Sequence, residues 1–377
     1  VSSPDPAPQL ALWYTLAIGT AAAGPWYVLV LSRRGWTEAE AAAVAVVLPA
    51  GRLLVGPLWG YAADRWGARP VLRLVTVASA AGAIGLWWAE GPWASVAWLL
   101  LLAAVRPAAS SLVDALAVAR TGPRYGAVRA WGSASYLAIG VVVGLLADGW
   151  PDLVLLISAA LAAGVVAATE ALPTPPPLAR PAVGARWWPE APVLWLCAVA
   201  TLHGVGLAVY DHLFTLHVAA LGMPGWAQSL ALASGVGAEI VLFRTAPRWF
   251  PRLDPWTWLL CAAAAGVPRF WLSALARDPV LLGLVQALHG VHFGVFWLAA
   301  TELFVRHARP EWRNTIVSLL PTTVFGLGPI AALLAASALL GQRHETPALL
   351  FAAAGVSAGA AGVAAAARWV VTRRARR

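Results

Sequence analysis

The stretch Pro57-Leu-Trp-Gly60-Tyr-Ala-Ala-Asp64-Arg65-Trp-Gly67-Ala-Arg69-Pro70-Val-Leu decides how the chain is read. It joins two apolar runs, each long enough to cross a bilayer. Its charges are excluded from hydrocarbon, so it forms a tight turn at the membrane face. Gly60, four residues before Asp64, removes a side chain where another helix can approach closely. Asp64 is suited to capping a neighbouring helix N-terminus, whose partial positive charge favours a carboxylate. Arg65 and Arg69 suit the cytoplasmic surface.

Composition agrees. The 377 residues are 60% hydrophobic and 11% charged, against about 25% charged in soluble domains. One helix needs roughly 20 apolar residues to span hydrocarbon, so the length fits about twelve spans with short loops. A transmembrane barrel alternates polar and apolar residues, and the long Ala/Leu/Val runs do not. Every basic residue is arginine, and the formal charge is +9. Cys197 and Cys261 both lie in apolar runs and give no disulfide framework. Val1 to Gln9 has no basic n-region, so the first span is not expected to be a cleaved signal peptide.

The apolar runs predict an all-α membrane protein with twelve transmembrane helices in two six-helix bundles. Residues 1–172 form the first bundle and 190–377 the second. The Pro-rich segment 173–189, containing Pro173-Thr-Pro-Pro-Pro, is the expected cytoplasmic linker. With the N-terminus inside, inner loops and tail hold 18 arginines, outer loops hold 4, and the remaining 4 of 26 fall within spans. That asymmetry predicts cytoplasmic termini in a bacterial-type inner membrane. The Arg368–Arg377 tail is read as contacting anionic lipid headgroups, not nucleic acid. A monomer is expected. Gly24-Pro25, Gly56-Pro57, Pro107, Pro268 and Gly328-Pro329 are either bending points or the ordinary Gly/Pro content of membrane helices.

An ionised residue at mid-bilayer costs at least ~2.5–3.5 kcal/mol, so such residues point to function. They are Arg52, Arg106, Asp114, Arg129, Asp211, Glu239 and Arg269, accompanied by His203, His212, His217, His289 and His292. Asp114 and Arg129 are candidates for an inner-gate pair. Arg52 and Arg106 are expected to close charge networks between helices two and four. His289 and His292, spaced i, i+3, are expected on one face of helix ten.

The Gly60-x-x-x-Asp64-Arg65-x-Gly67-x-Arg69 pattern resembles the loop between helices two and three of the major facilitator superfamily. The resemblance implies that these residues, with Asp114, serve gating. Further segments resemble the branch containing lactose permease and the nucleoside and phenylpropionate proton symporters. They are Tyr125-Gly-Ala-Val-Arg129-Ala-Trp-Gly132-Ser-Ala-Ser-Tyr136, Tyr210-Asp211, Gly237-Ala-Glu239, Val267-Pro-Arg269 and Leu288-His289-Gly-Val-His292. The resemblance implies that Arg129, Tyr136, Glu239 and His289 contact substrate. It also implies that Tyr210, Asp211, Glu239, Arg269, His289 and His292 carry proton coupling. No cofactor is implied beyond the coupling proton.

The departures from that branch matter. Ser111 stands where lactose permease has a sugar-binding glutamate, and Leu242 where it has an asparagine. His292 stands where the family's proton-carrying glutamate lies. Lactose is therefore not the expected cargo; a sugar, nucleoside or aromatic acid is. Histidine titrates near neutrality and is one candidate replacement, beside Glu239 and Asp211. Three readings follow: proton-coupled symport by alternating access, an exporter or uncoupled facilitator, and a membrane-embedded lipid-modifying enzyme. The last lacks any Ser-His-Asp or metal-spaced cluster near the interface. His289-x-x-His292 with Glu239 supplies three potential metal ligands, whose convergence only tertiary structure decides.

Overall fold

The computed structural model describes residues 5–22, 38–146, 150–174, 181–182, 185, 187–224, 226–332, 334 and 347–374. Arg33, Arg34, Gly24-Pro25, Arg180, Arg186, Arg343, Arg376 and Arg377 lie outside the described residues, as do the side chains of Arg52 and His212.

The described chain is all-α. The helices are α1 (Ala7–Ala21), α2 (Glu38–Trp66), α3 (Ala68–Trp88), α4 (Pro92–Thr121), α5 (Tyr125–Leu146) and α6 (Pro151–Ala171). They continue as α7 (Ala191–Ala220), α8 (Trp226–Trp249) and α9 (Pro255–Leu275). The tenth, α10, has three pieces: Pro279–Val285, a π turn at Gly290–Val295, and Phe296–His307. The eleventh, α11, runs Arg313–Thr322 into a π turn at Thr323–Leu327, and α12 is Pro347–Arg374. Nine stretches among the described residues are long and apolar enough to span a membrane, and one of them, Trp93–Val143, runs through both α4 and α5. With α1 and α2, this is a twelve-helix membrane protein.

Local signals set the helix ends. Asp254 accepts a hydrogen bond from the Trp256 amide (3.0 Å) to cap α9, and Asp278 accepts from the Leu281 amide (2.8 Å) to cap α10. Before α1, Asp5 accepts two hydrogen bonds from Arg124, at 2.9 and 3.1 Å. That guanidinium holds the Asp5 carboxyl below the usual carboxylate range.

The chain divides into two compact units. One comprises Val1–Arg186 and Arg309–Ser318; the other comprises Trp187–Ala308 and Leu319–Arg377. The first unit buries Leu86, Leu99, Leu102, Val143, Val154 and Leu155 in a core shared by α3 to α6. The second buries Phe214, Phe270, Leu282 and Phe351. Cys197 and Cys261 are free thiols.

Close helix crossings depend on missing side chains, because lipid supplies no hydrophobic drive for helix association. In the first unit, a Cβ at Gly51 would lie 2.6 Å from the Ala103 carbonyl oxygen. In the second, a Cβ at Gly204 would lie 2.4 Å from the Val324 carbonyl oxygen.

The turn between α2 and α3 is densely hydrogen-bonded. Asp64 is buried and accepts four hydrogen bonds. The donors are the Asn314 amide (2.9 Å), Asn314 Nδ2 (2.8 Å), the Thr315 amide (2.8 Å) and Thr315 Oγ1 (2.6 Å). These are the orphan amides that begin α11. A Cβ at Gly60 would lie 2.6 Å from the Asn314 carbonyl oxygen and 2.7 Å from Thr315 Cα. Tyr61 stacks on Trp312 at 5.6 Å. Gly67 turns the chain at φ 102°, a conformation that favours glycine. Arg69 donates to the Leu172 and Glu170 carbonyls (2.9 and 2.8 Å), answering the free carbonyls at the end of α6. Arg65 is half-buried at the end of α2.

Asp64→Ala removes the acceptor for four buried donors. We expect it to lower the unfolding free energy of the solubilised protein by at least ~1–3 kcal/mol, the cost of one unsatisfied buried group. Gly60→Leu should be as damaging, because the atoms it meets are backbone. Thermal unfolding matching wild type for either variant would contradict this account of the turn.

Candidate functional site

Among the described residues, each unit carries a buried cluster of ionisable side chains. In the first unit its hub is Asp114 on α4, which is 3% exposed. Its Oδ1 accepts from Tyr14 of α1 (2.6 Å) and from Tyr125 at the start of α5 (2.9 Å). Arg129, one turn along α5, donates to the same oxygen at 3.3 Å. Its guanidinium also lies 5.6 Å from the Tyr14 ring centroid. Gly132, a turn further on, lets α5 press against Ile18 of α1, since a Cβ there would lie 2.5 Å from Ile18 Cδ1. Tyr136 is half-buried on α5. Ser111 donates to the Ala108 carbonyl (3.0 Å).

Whether Arg106 and Arg52 close a charge network lies outside the described residues, since the Arg52 side chain is among those not described. Arg106 donates to Ser158 of α6 at 3.2 Å, a neutral hydroxyl on a different helix. Trp13 donates to Thr169 (3.1 Å) within the packed bundle, and Trp131 is half-exposed.

The second unit holds the larger cluster. Arg269 of α9 is 0% exposed. Its Nε donates to Gln286 Oε1 (3.1 Å), and its Nη1 lies 3.2 Å from His292 Nδ1. The guanidinium lies 4.4 Å from the Tyr210 ring centroid and 5.1 Å from that of Phe270. Gln286 Nε2 donates in turn to Ser273 Oγ (2.8 Å), and Ser273 Oγ donates to the Arg269 carbonyl (2.7 Å). His217 Nε2 donates to the Ser273 carbonyl (2.9 Å), which fixes the proton on Nε2.

Hydrogen-bond roles fix the state of His292. A guanidinium only donates, so Nδ1 of His292 must accept. His292 is therefore neutral, with its proton on Nε2, and that nitrogen is buried with no partner among the described residues. His203 of α7 lies against the same ring, with centroids 4.3 Å apart, and stacks on Phe296 at 3.6 Å. Gly266 makes room for His292: a Cβ there would meet its Cδ2 at 2.5 Å and its Nε2 at 2.7 Å.

His289 turns to another neighbour. Its Nε2 is 3.5 Å from Glu239 Oε2 of α8, and its ring stacks on Phe293 at 5.1 Å. Tyr210 links the two halves of the cluster, since its ring centroid also lies 6.1 Å from that of His289. Asp211, next along α7, is exposed within its unit. His289 and His292 both lie near Arg269, but their closest polar contacts differ. The π turn beginning at Gly290 packs more residues into a turn than an α-helix does, so three residues no longer nearly close one. Their nearest polar partners consequently lie on different helices, α8 for His289 and α9 for His292.

Sequence reasoning gave no role to Gln286, Tyr14 and Tyr125, which bond directly to the charged groups, or to Ser273, which bonds to Gln286. The signal for Gln286 was a neutral amide in an apolar run, which a search restricted to charges discards. Among the described residues, no group of three or more His, Cys, Asp or Glu side chains is placed to hold a metal.

Twelve apolar helices with buried ionisable clusters describe a polytopic membrane transporter. The chain belongs to the MFS_1 like family, within the major facilitator superfamily, and matches it over residues 10–342. It is 31% identical over 285 residues to the maltose permease of Geobacillus stearothermophilus, covering 72% of this chain and 71% of that one. Its fold resembles the human organic anion transporter MFSD10 (TETRAN) with a TM-score of 0.81 at 14% identity, covering 97% of this chain and 100% of that one. It resembles the E. coli fucose:proton symporter FucP with a TM-score of 0.70 at 14% identity, covering 95% and 98%. The protein is thus a transporter of a small molecule rather than an enzyme.

Asp114→Ala strips one acceptor from two tyrosine hydroxyls and a guanidinium. We expect a loss of about 3–5 kcal/mol in stability, as for a broken buried ion pair. The double variant Asp114→Leu with Arg129→Met should recover part of it. Unfolding of the solubilised single and double variants distinguishes this from a merely local hydrogen-bond loss, for which the double variant would be no better.

Proposed function

We propose that the protein is a proton-coupled symporter of a small organic solute: a sugar, a nucleoside or an aromatic acid. It works by alternating access, as a monomer, with the proton as coupling ion and no other cofactor. The distribution of arginines supports a bacterial-type cytoplasmic membrane with both termini inside. The similarity to a maltose permease supports an organic solute.

In this reading Arg129, Tyr136, Glu239 and His289 contact the solute. Tyr210, Asp211, Glu239, Arg269, His289 and His292 couple it to the proton. Gly60, Asp64, Arg65, Gly67, Arg69 and Asp114 serve the gate.

One observation carries the coupling: the 3.2 Å contact between Arg269 Nη1 and His292 Nδ1. An imidazolium has no lone pair for a guanidinium to donate to. Proton binding at His292 and the present position of Arg269 therefore exclude each other. Two buried cations in contact would also repel. A proton arriving at His292 must separate the two groups, and Arg269 must then find another partner. That is the differential interaction a proton needs to shift a conformational equilibrium. The Glu239–His289 pair beside it gives the solute a means of acting on the same cluster.

The test is uptake by proteoliposomes under an imposed pH gradient, over labelled sugars, nucleosides and aromatic acids. An acidic exterior should drive accumulation. His292→Ala and Glu239→Gln should each reduce accumulation by about tenfold or more, with downhill exchange persisting in the His292 variant. Transport indifferent to the gradient for every bound solute would falsify the coupling. The second reading, an exporter or uncoupled facilitator, is favoured by one feature: a histidine stands where the family carries its protonated carboxylate. Transport unaffected by Glu239→Gln and His289→Ala at every pH would establish it instead.

A further inference from the structure

A guanidinium is a rigid planar fork, so fixing the direction of one N–H fixes the others. Among the described residues, two contacts do this for Arg269. Nη1 meets His292 Nδ1 at 3.2 Å, and Nε donates to Gln286 Oε1 at 3.1 Å. Nη2 is buried with no partner among the described residues. The Tyr210 and Phe270 rings lie 4.4 and 5.1 Å from the guanidinium carbon. A ring face attracts the cation without aiming any one N–H. The bond to Gln286 is therefore what turns Nη1 toward His292.

Gln286 is itself held in one orientation. It is fully buried. Arg269 Nε only donates, so the amide atom facing it is Oε1. The amide nitrogen then donates to Ser273 Oγ at 2.8 Å and faces the Leu282 carbonyl at 3.3 Å. Ser273 gives its own proton to the Arg269 carbonyl (2.7 Å), and its carbonyl accepts from His217 of α7 (2.9 Å). The backbone carrying Gln286 is equally fixed. It lies between the first piece of α10 and the π turn, where the amides of Gln286, Ala287, His289 and Gly290 each bond three residues back. Two glycines let this segment press on α8. A Cβ at Gly290 would lie 2.7 Å from the Ala238 carbonyl carbon, and one at Gly235 would lie 3.2 Å from the Gln286 carbonyl oxygen.

We propose that Gln286 is the positioning residue of the Arg269–His292 pair. It aims Nη1 at His292 Nδ1 and so holds the imidazole proton on Nε2. The consequence for transport rests on the proton-coupling reading, whereas the geometry does not. An aliphatic side chain here would leave Arg269 Nε a buried orphan, and nothing would aim the fork. A carboxylate would bond the same Nε with a charge, roughly twice as strongly as a neutral acceptor. The neutral amide aims the guanidinium yet leaves its charge uncommitted. Arg269 is thus set against His292 and is released when a proton takes the Nδ1 lone pair.

The test uses the full-length protein, carrying isotope-labelled histidine, in lipid nanodiscs at neutral pH. Solid-state NMR reads the tautomer of His292, whose resonances are those absent from His292→Ala. In wild type the Nε2-protonated tautomer should exceed the other by about tenfold or more, as suits a hydrogen bond to a charged group. Gln286→Met, of similar length but with no oxygen acceptor, should cut that excess to about threefold or less. Gln286→Glu should keep it, because the acceptor oxygen remains. Should Gln286→Met not fold, Ser273→Ala carries the test, since it frees one end of the amide and should lower the excess by about threefold. A ratio unchanged by Gln286→Met and Ser273→Ala overturns the proposal. Equal loss in Gln286→Met and Gln286→Glu also overturns it, because packing alone would then set the tautomer. In proteoliposomes Gln286→Met should lower gradient-driven accumulation by about fivefold or more, and accumulation equal to wild type counts against the proposal. If wild type itself ignores the gradient, the coupling reading fails, and the tautomer ratio still decides the role of Gln286.

Discussion

A charged group in hydrocarbon has no water to turn to, and every structural decision in this protein follows from that constraint. An isolated ion at mid-bilayer costs several kcal/mol, and a backbone group left unpaired costs about as much. At the membrane face, buried Asp64 shows how such a group is satisfied. Both carboxylate oxygens are occupied, two donors each, by the first residues of another helix. The helix start needs an acceptor and the carboxylate needs donors, so one contact answers both. It demands close approach, and Gly60 supplies it. Arg69 does the complementary service at the opposite polarity, donating to the carbonyls that end α6. The α2–α3 turn is thus a place where backbone ends are paired with side-chain charges of the fitting sign.

That pairing was readable in the sequence because its parts are rare there. A carboxylate four residues after a glycine, between two apolar runs, has few physical solutions. The twelve spans were readable for the same reason, since so few charges interrupt them. The partners were harder. Asp114 is obvious as a charge, but two of its three donors are the hydroxyls of Tyr14 and Tyr125, which look like ordinary packing residues until they are placed. Arg106 was legible as a charge, while its bond to Ser158 on α6 was not. A hydroxyl is cheap enough in a membrane helix to carry no signal of its own. Neither π turn announced itself, because an inserted residue in a turn changes no composition or spacing that an apolar pattern records.

The π turn in α10 has the larger consequence. In an unbroken α-helix, His289 and His292 would lie on nearly the same face and compete for the same neighbours. The wider turn between them gives each a different closest contact. His289 is given to a carboxylate and His292 to a guanidinium. One pair is attractive when the histidine is charged; the other is bonded only when the histidine is neutral. Tyr210 packs against both Arg269 and His289, so neither pair rearranges without touching the other.

Charge balance gives this arrangement its direction. Arg269 is fully buried, and its bonded neighbours, Gln286 and His292, are both neutral. A buried guanidinium whose closest contacts are neutral gains by any movement that brings a carboxylate closer. The cluster's two nearby acidic side chains are Glu239, already facing His289, and Asp211, the neighbour of Tyr210 on α7. Protonating His292 adds a second cation beside the first and raises the cost of the present arrangement. Gly266 fixes where that cost is felt, because the imidazole lies against bare backbone and has no room to move toward α9. Separation must therefore come from Arg269 moving or from α10 shifting against α9, and the π turn is the part of α10 where such a shift is least opposed. In the proposed symporter, the contact that excludes a proton at His292 thus also marks the helix expected to move.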